Sequence, residues 1–119
     1  MTHVVIAGCR DYDDYLFFSS RLDLIMSTMD KPITVISGHC RGVDIMAEKY
    51  AAERDYQIML FPAQWQKYGS AAGPIRNKKM SEICDCVIAF WDYSSKGTGS
   101  LIRYAEKLGK KTIVIDISH

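Results

Sequence analysis

The sequence predicts a three-layer α/β domain: a mainly parallel five-stranded sheet flanked by helices. Three observations carry this expectation. Five short runs rich in β-branched and apolar residues recur along the chain, and they are too continuous to be half-exposed strands. Stretches with helical spacing separate them, so buried strands alternate with crossover helices. The 119 residues suit one core, so 1–119 reads as a single domain. A chain of this size hides roughly two thirds of the surface its unfolded form exposes, enough to fold without metal or disulfide staples.

Taken in order, the first strand spans residues 3–7 and ends at Gly8, and a helix follows over 15–29. The second strand, 33–37, ends at Gly38. The helix over 43–54 is the most regular, with Val43, Met46, Ala47, Tyr50 and Ala51 lining one face. The third strand, 57–61, is stopped by Pro62. Pro74 suits the first turn of the next helix, 75–84, so Arg76 and Asn77 emerge near its start. The fourth strand, 86–91, leads to a turn over 96–99 and a helix over 101–108, which Gly109 caps before the fifth strand at 112–117. The layout is Rossmann-like, and such sheets hold ligands beyond the carboxyl ends of their strands, where neighbouring crossovers diverge.

Charge and composition narrow the function. Fifteen basic and fourteen acidic side chains leave a net charge of +1, which offers no global field for DNA or an acidic membrane and argues against a nucleic-acid partner. Residues 1–60 hold 6 basic and 9 acidic side chains, and residues 61–119 hold 9 and 5, so the second half is the more suited to an anion. The same split arises from solvated helix faces. No apolar run reaches the ~18 residues of a membrane span, and the N-terminus shows no signal-peptide pattern, so a cytoplasmic protein without a membrane partner is expected. Cys9, Cys40, Cys84 and Cys86 form no CxxC pair and the three histidines are scattered, which predicts reduced thiols, no metal and no cofactor.

Chemistry-bearing residues collect after the strands. In Gly8-Cys9-Arg10-Asp11, glycine permits a tight turn and Arg10 can reach a phosphate or carboxylate, or pair with Asp11 or Asp13. After the second strand, Ser37-Gly38-His39-Cys40-Arg41-Gly42-Val43-Asp44 opens directly onto a helix and reads as a phosphate or ribose cradle, without the GK[ST] of a P-loop. Asp44 can accept ribose hydroxyls or favour the helix dipole. After the third strand, Trp65 and Tyr68 can stack on a base or act as a lid over the core. After the fourth, Lys96-Gly97-Thr98-Gly99-Ser100 offers a second phosphate cradle, with a plain surface turn as the alternative.

The segments GCRDY, SGHCRGVD, FPAQWQKYGSAAGPIRNKKM and AFWDYSSKGTGS, in this order over nearly the whole chain, resemble the YspA-type branch of the SLOG superfamily, whose relatives include LOG phosphoribohydrolases and the DNA-processing protein DprA. The resemblance implies a nucleotide-binding Rossmann-like domain, with Gly8, Arg10, Gly38, Gly42, Asp44, Arg76, Asn77, Gly97, Thr98 and Ser100 on matching motif positions. It also implies ligands such as nucleotides or NAD- and ADP-ribose-derived signals. LOG-type enzymes resemble GGxGTxxE in the last turn; matched here, Lys96 takes the first glycine, Ser100 the threonine and Arg103 the catalytic glutamate. Arg76, with Met80 four residues on, resembles their catalytic arginine. Losing a positioned acid or base typically costs about 10²- to 10⁴-fold in rate, so Arg103 counts against such a hydrolase.

The leading expectation is therefore a module that senses or sequesters a nucleotide or NAD-derived small molecule, with Ser37 and Lys96 to Ser100 among its ligand contacts. A nucleotide N-glycosidase using Arg76 and Asp44 is the alternative, its catalytic residues otherwise unknown. Binding of single-stranded nucleic acid along Lys67, Arg76, Lys78 and Lys79 is a third. The apolar Leu16, Phe17, Phe18, Leu22, Leu24, Ile25 and Met26 exceed the needs of one surface helix and point to a homodimer or higher homo-oligomer, unless that helix packs deeply on the sheet.

Overall fold

A computed structural model describes residues 1–118. The elements are β1 (Thr2–Gly8), α1 (Tyr15–Met26), β2 (Ile33–Ser37), α2 (Val43–Glu53), β3 (Gln57–Leu60), α3 (Trp65–Tyr68), a 3₁₀ turn (Gly69–Ala71), α4 (Ala72–Ile83), β4 (Cys86–Trp91), α5 (Lys96–Lys107) and β5 (Lys111–Asp116). The five strands form one sheet in the order β3-β2-β1-β4-β5, and every neighbouring pair is parallel. The chain steps outward from β1 to β2 and β3, then returns past β1 to β4 and β5. The crossovers therefore diverge between β1 and β4, where a doubly wound sheet opens its crevice.

Strand periodicity explains the three layers. Val4 and Ile6 of β1, with Ile88 and Phe90 of β4, face one side and pack with Phe18, Leu22 and Met26 of α1 and Val43, Ala47 and Tyr50 of α2. Their alternates Val5, Ala7, Val87 and Ala89 face the other and meet Met80 of α4 and Leu101, Ile102 and Ala105 of α5. The ring centroids of Phe18 and Phe90 lie 4.7 Å apart in the first layer. This packing uses most of the apolar surplus of α1: Phe18, Leu22 and Met26 are buried and Phe17 and Ile25 pack against the core, while Leu16 and Leu24 remain 78% and 69% exposed.

Helix ends differ from the sequence expectation by more than one residue in three places. α1 stops at Met26, because the Ser27 and Thr28 hydroxyls each donate to last-turn carbonyls, of Leu24 and Ile25, at 2.7 Å. α4 begins at Ala72 and keeps Pro74 in its first turn. Residues 96–99, expected as a turn, are the opening turn of α5. A short helix, α3, occupies a stretch where none was expected. Gly109, at φ +73°, terminates α5: its amide donates to Glu106 and that of Lys110 to Ala105. All four cysteines are unpaired. Among the described residues no helix is long and apolar enough to cross a membrane, and no group of three or more metal-ligating side chains is assembled.

Candidate functional site

The carboxyl ends of β1 and β4 border a cleft of about 420 Å³ whose walls come from the β1–α1 turn, the β2–α2 turn, α4 and the start of α5. It is within the ~300–1,000 Å³ of small-molecule sites. Of the residues singled out by sequence, Gly8, Arg10, Asp44, Arg76, Asn77, Gly97 and Thr98 line it.

Asp44 sits in the first turn of α2 and is only 6% exposed. One carboxylate oxygen, Oδ2, accepts the Cys40 amide at 3.2 Å; the other takes no protein donor among the described residues. Desolvation pushes its carboxyl up to about 6 from an ordinary 3.8, despite the opposing pull of the Cys40 amide and the Arg76 and Arg10 guanidiniums. A buried carboxylate bordering a cleft, with an acceptor to spare, is placed to receive hydroxyl or ammonium donors of a guest.

Arg76 projects from α4 across the ends of two strands. Its Nη1 donates to the Gly38 carbonyl at 2.6 Å and to that of Phe61 at 3.4 Å, while Nε donates to Asn77 Oδ1 at 2.9 Å. Nη2 meets only the Cys40 sulfur, at 3.8 Å, among the described residues. The guanidinium is thus fixed in place with donor capacity left. Asn77 uses its Nδ2 on the Gly97 carbonyl at 3.2 Å, tying α4 to the first turn of α5. Arg10 is exposed at the rim and has no carboxylate within 4.0 Å among the described residues; Asp11 pairs with Arg41 instead, at 3.5 Å.

The two expected phosphate cradles differ. In the β2–α2 turn three amides are taken up within the protein: His39 donates to Ser37 Oγ, Cys40 to Asp44 and Val43 to the Cys9 carbonyl. Ser37 is fully buried and donates to Glu48 Oε2 at 2.8 Å, and Gly38 lies beneath Arg76. A Cβ on Gly38 would stand 2.6 Å from Arg76 Nη1 and 2.9 Å from Asp44 Oδ2. Gly42, at φ +81°, abuts the Cys9 and Arg10 carbonyls. Ser37, Gly38 and Gly42 therefore build the wall that holds Asp44 and Arg76 and do not line the cleft.

At α5 the situation is reversed. The cap residue Ser95 makes no side-chain bond to the helix amides, and those of Lys96, Gly97 and Thr98 donate to no protein group among the described residues. Their partial positive charge faces the cleft at Gly97 and Thr98. Lys96 and Ser100 lie outside the lining, and Gly99 packs under the Trp91 ring. Arg103 borders a separate surface hollow with Ser100, Tyr104 and Lys107. Trp65 and Tyr68 also stand away from the cleft; Tyr68 lines a neighbouring cavity, and Trp65 packs over Gly73.

The lining also takes in Cys9, Asp11, Cys40, Asp92, Ser94 and Ser95, which were not among the expected ligand contacts. Asp92 Oδ1 accepts the amides of Ser94 and Ser95 at 2.8 and 2.9 Å, which holds its carboxyl below the usual range and shapes the approach to α5. An aspartate two residues before a serine is the signature of such a turn, and it was available in the sequence. Burial pushes the Cys9 thiol up to about 11. The cleft thus combines two guanidiniums and unspent amides with the carboxylates Asp11, Asp44 and Asp92. A bare anion would be repelled by three carboxylates; a molecule bearing both phosphate and hydroxyl groups uses both kinds of partner.

The chain matches the model of the YspA, cpYpsA-related SLOG family over residues 2–68, which takes in β1 through α3. The AAGPIRN and KGTGS segments lie beyond that stretch. It is 29% identical over 115 residues to the gene 61 protein of Mycobacterium phage D29, covering 92% of each chain. Its fold is similar to that of DNA processing protein A (DprA) from Streptococcus pneumoniae, with a TM-score of 0.77 at 16% identity. The likeness covers 99% of this chain and 51% of DprA, so the chain spans about half the length of that neighbour.

Proposed function

Because this chain belongs to the YspA, cpYpsA-related SLOG family, we propose that its cleft binds a nucleotide or a nucleotide-derived molecule of the NAD or ADP-ribose type, to sense or sequester it. The observation that supports this best is the pairing of buried Asp44, with one free carboxylate oxygen, and the fixed Arg76 guanidinium opposite the open amides of α5. Ribose hydroxyls would donate to Asp44, and phosphate oxygens would accept from Gly97, Thr98, Arg10 and Arg76.

Calorimetric titration with AMP, NAD and ADP-ribose tests the reading. At least one should bind, and Gly97→Asp, which sets a carboxylate at the amide hollow where a Cβ meets nothing within 4 Å, should abolish that binding while the protein stays folded. Absence of binding by all three would defeat the proposal. Asp44, with its carboxyl near 6, also has the protonation range of a general acid, which supports N-glycosidic cleavage as a second reading. Release of free base during the same titrations would favour it; recovery of unchanged ligand from heat-denatured protein would favour binding. The fold shared with a DNA processing protein raises a nucleic-acid reading, which a steep salt dependence of oligonucleotide binding would reveal. Self-association through Leu16 and Leu24 of α1 is checked by sedimentation.

A further inference from the structure

A second cavity, of about 230 Å³, opens between the end of β3, α3 and the first turns of α4. It lies apart from the cleft, yet the two share one residue, Arg76. Their linings differ in chemistry. The cleft presents carboxylates, hydroxyls and amides beside its two guanidiniums, whereas the second cavity presents Phe61, Pro62, Tyr68 and Ile75, two cations, Arg76 and Lys79, and no acidic side chain. The Tyr68 ring is half-buried and stacks on no other aromatic ring among the described residues.

At 230 Å³ the cavity falls below the ~300–1,000 Å³ typical of a self-sufficient site, which suits an annex better than a separate pocket. Arg76 is held by the Gly38 and Phe61 carbonyls and by Asn77, so the partition is rigid and its remaining donors are preorganised. We propose that the second cavity receives a second ring of the same ligand, so that the guest is a nucleotide extended by another ring-bearing group through a diphosphate lying over Arg76. The proposal rests on the nucleotide reading of the cleft and narrows its class. Phosphate oxygens take the guanidinium and Lys79, the added ring takes the Phe61, Pro62 and Tyr68 surface, and Gln64 at the rim offers an amide to a ring heteroatom.

The test compares AMP, which ends at one phosphate, with NAD, which carries a diphosphate and a second ring, on the full chain and on Tyr68→Ala, Tyr68→Phe and Lys79→Glu. Stacking of a base on an aromatic side chain is worth about tenfold or more in affinity. NAD should bind at least about tenfold tighter than AMP. Tyr68→Ala and Lys79→Glu should each erase most of that advantage and leave AMP affinity unchanged, and Tyr68→Phe should retain it. Equal affinity for both probes, or equal weakening of both by Tyr68→Ala and Lys79→Glu, overturns the subsite while leaving the nucleotide reading intact. Failure of both probes to bind the unaltered protein overturns the subsite, and failure of ADP-ribose as well removes the nucleotide reading with it. Should Tyr68→Ala not fold, the exposed Lys79→Glu change decides by the same comparison.

Discussion

Replacing Asp44 by asparagine should make the protein more stable at neutral pH and less able to bind its ligand. The carboxyl titrates at about 6 in the folded state against 3.8 ordinarily, chiefly because burial disfavours its charge. Between those values the folded protein binds more protons at this site than the unfolded chain, so the site's contribution to stability falls as pH rises through the window. At about 1.36 kcal/mol per pH unit, the charged carboxylate costs about 3 kcal/mol well above pH 6 and almost nothing below about pH 3. The asparagine side chain keeps an oxygen for the Cys40 amide and carries no charge. Urea unfolding of both proteins at pH 4 and 7.5 checks the argument. The Asp44→Asn protein should gain up to about 3 kcal/mol at pH 7.5, with the gain falling below about 1 kcal/mol at pH 4. An equal effect at both pH values, or a loss of stability at pH 7.5, would refute the claim that the site holds a desolvated charge. Other carboxylates titrate nearby, but they cancel in the difference between the two proteins.

Three further outcomes are expected. Gly38→Ala should still fold, because the crowded atoms are the ends of the Arg76 and Asp44 side chains; overpacking of this kind costs about 1–3 kcal/mol, and titration should show ligand affinity lost out of proportion to the melting shift. Gly42→Ala should destabilise far more, since a Cβ there meets the backbone carbonyls of Cys9 and Arg10 at a positive φ, and thermal melting should separate it clearly from a tolerated Gly97→Ala. Phe18→Ala, which empties the centre of the layer under α1, should cost about 3–5 kcal/mol by urea unfolding and leave the cleft chemistry untouched.

β1, β2 and β4 were readable because each is a short apolar run with both faces covered, whereas β3 and β5, the edge strands, are largely exposed and differ from the buried strands expected, being legible only through their apolar and β-branched composition. The opening turn of α5 was not, because Lys96-Gly97-Thr98-Gly99 has poor helix propensity. It is helical through tertiary support: Asp92 orders Ser94 and Ser95, and Asn77 holds the Gly97 carbonyl from another helix. Arg76 and Asp44 could be picked out by type and position, but the direction in which they point depends on Gly38 beneath them and, for Arg76, on carbonyls just past the ends of two strands. The glycines and hydroxyls of the β2–α2 turn look like an anion cradle in one dimension. Only the folded contacts reveal that the amides of His39, Cys40 and Val43 already have internal acceptors.

The tether of Arg76 has a mechanical side. β3 is an edge strand with half-exposed Ile58 and Leu60, paired to the sheet on one side only, and edge elements are the first to open in local unfolding. One of the carbonyls that holds the guanidinium, that of Phe61, immediately follows this strand. A transient peeling of the border would therefore slacken the arginine and disturb both hollows at once. An occupied site would, in turn, keep the border sealed, and amide exchange along residues 57–61 would slow when a guest is bound.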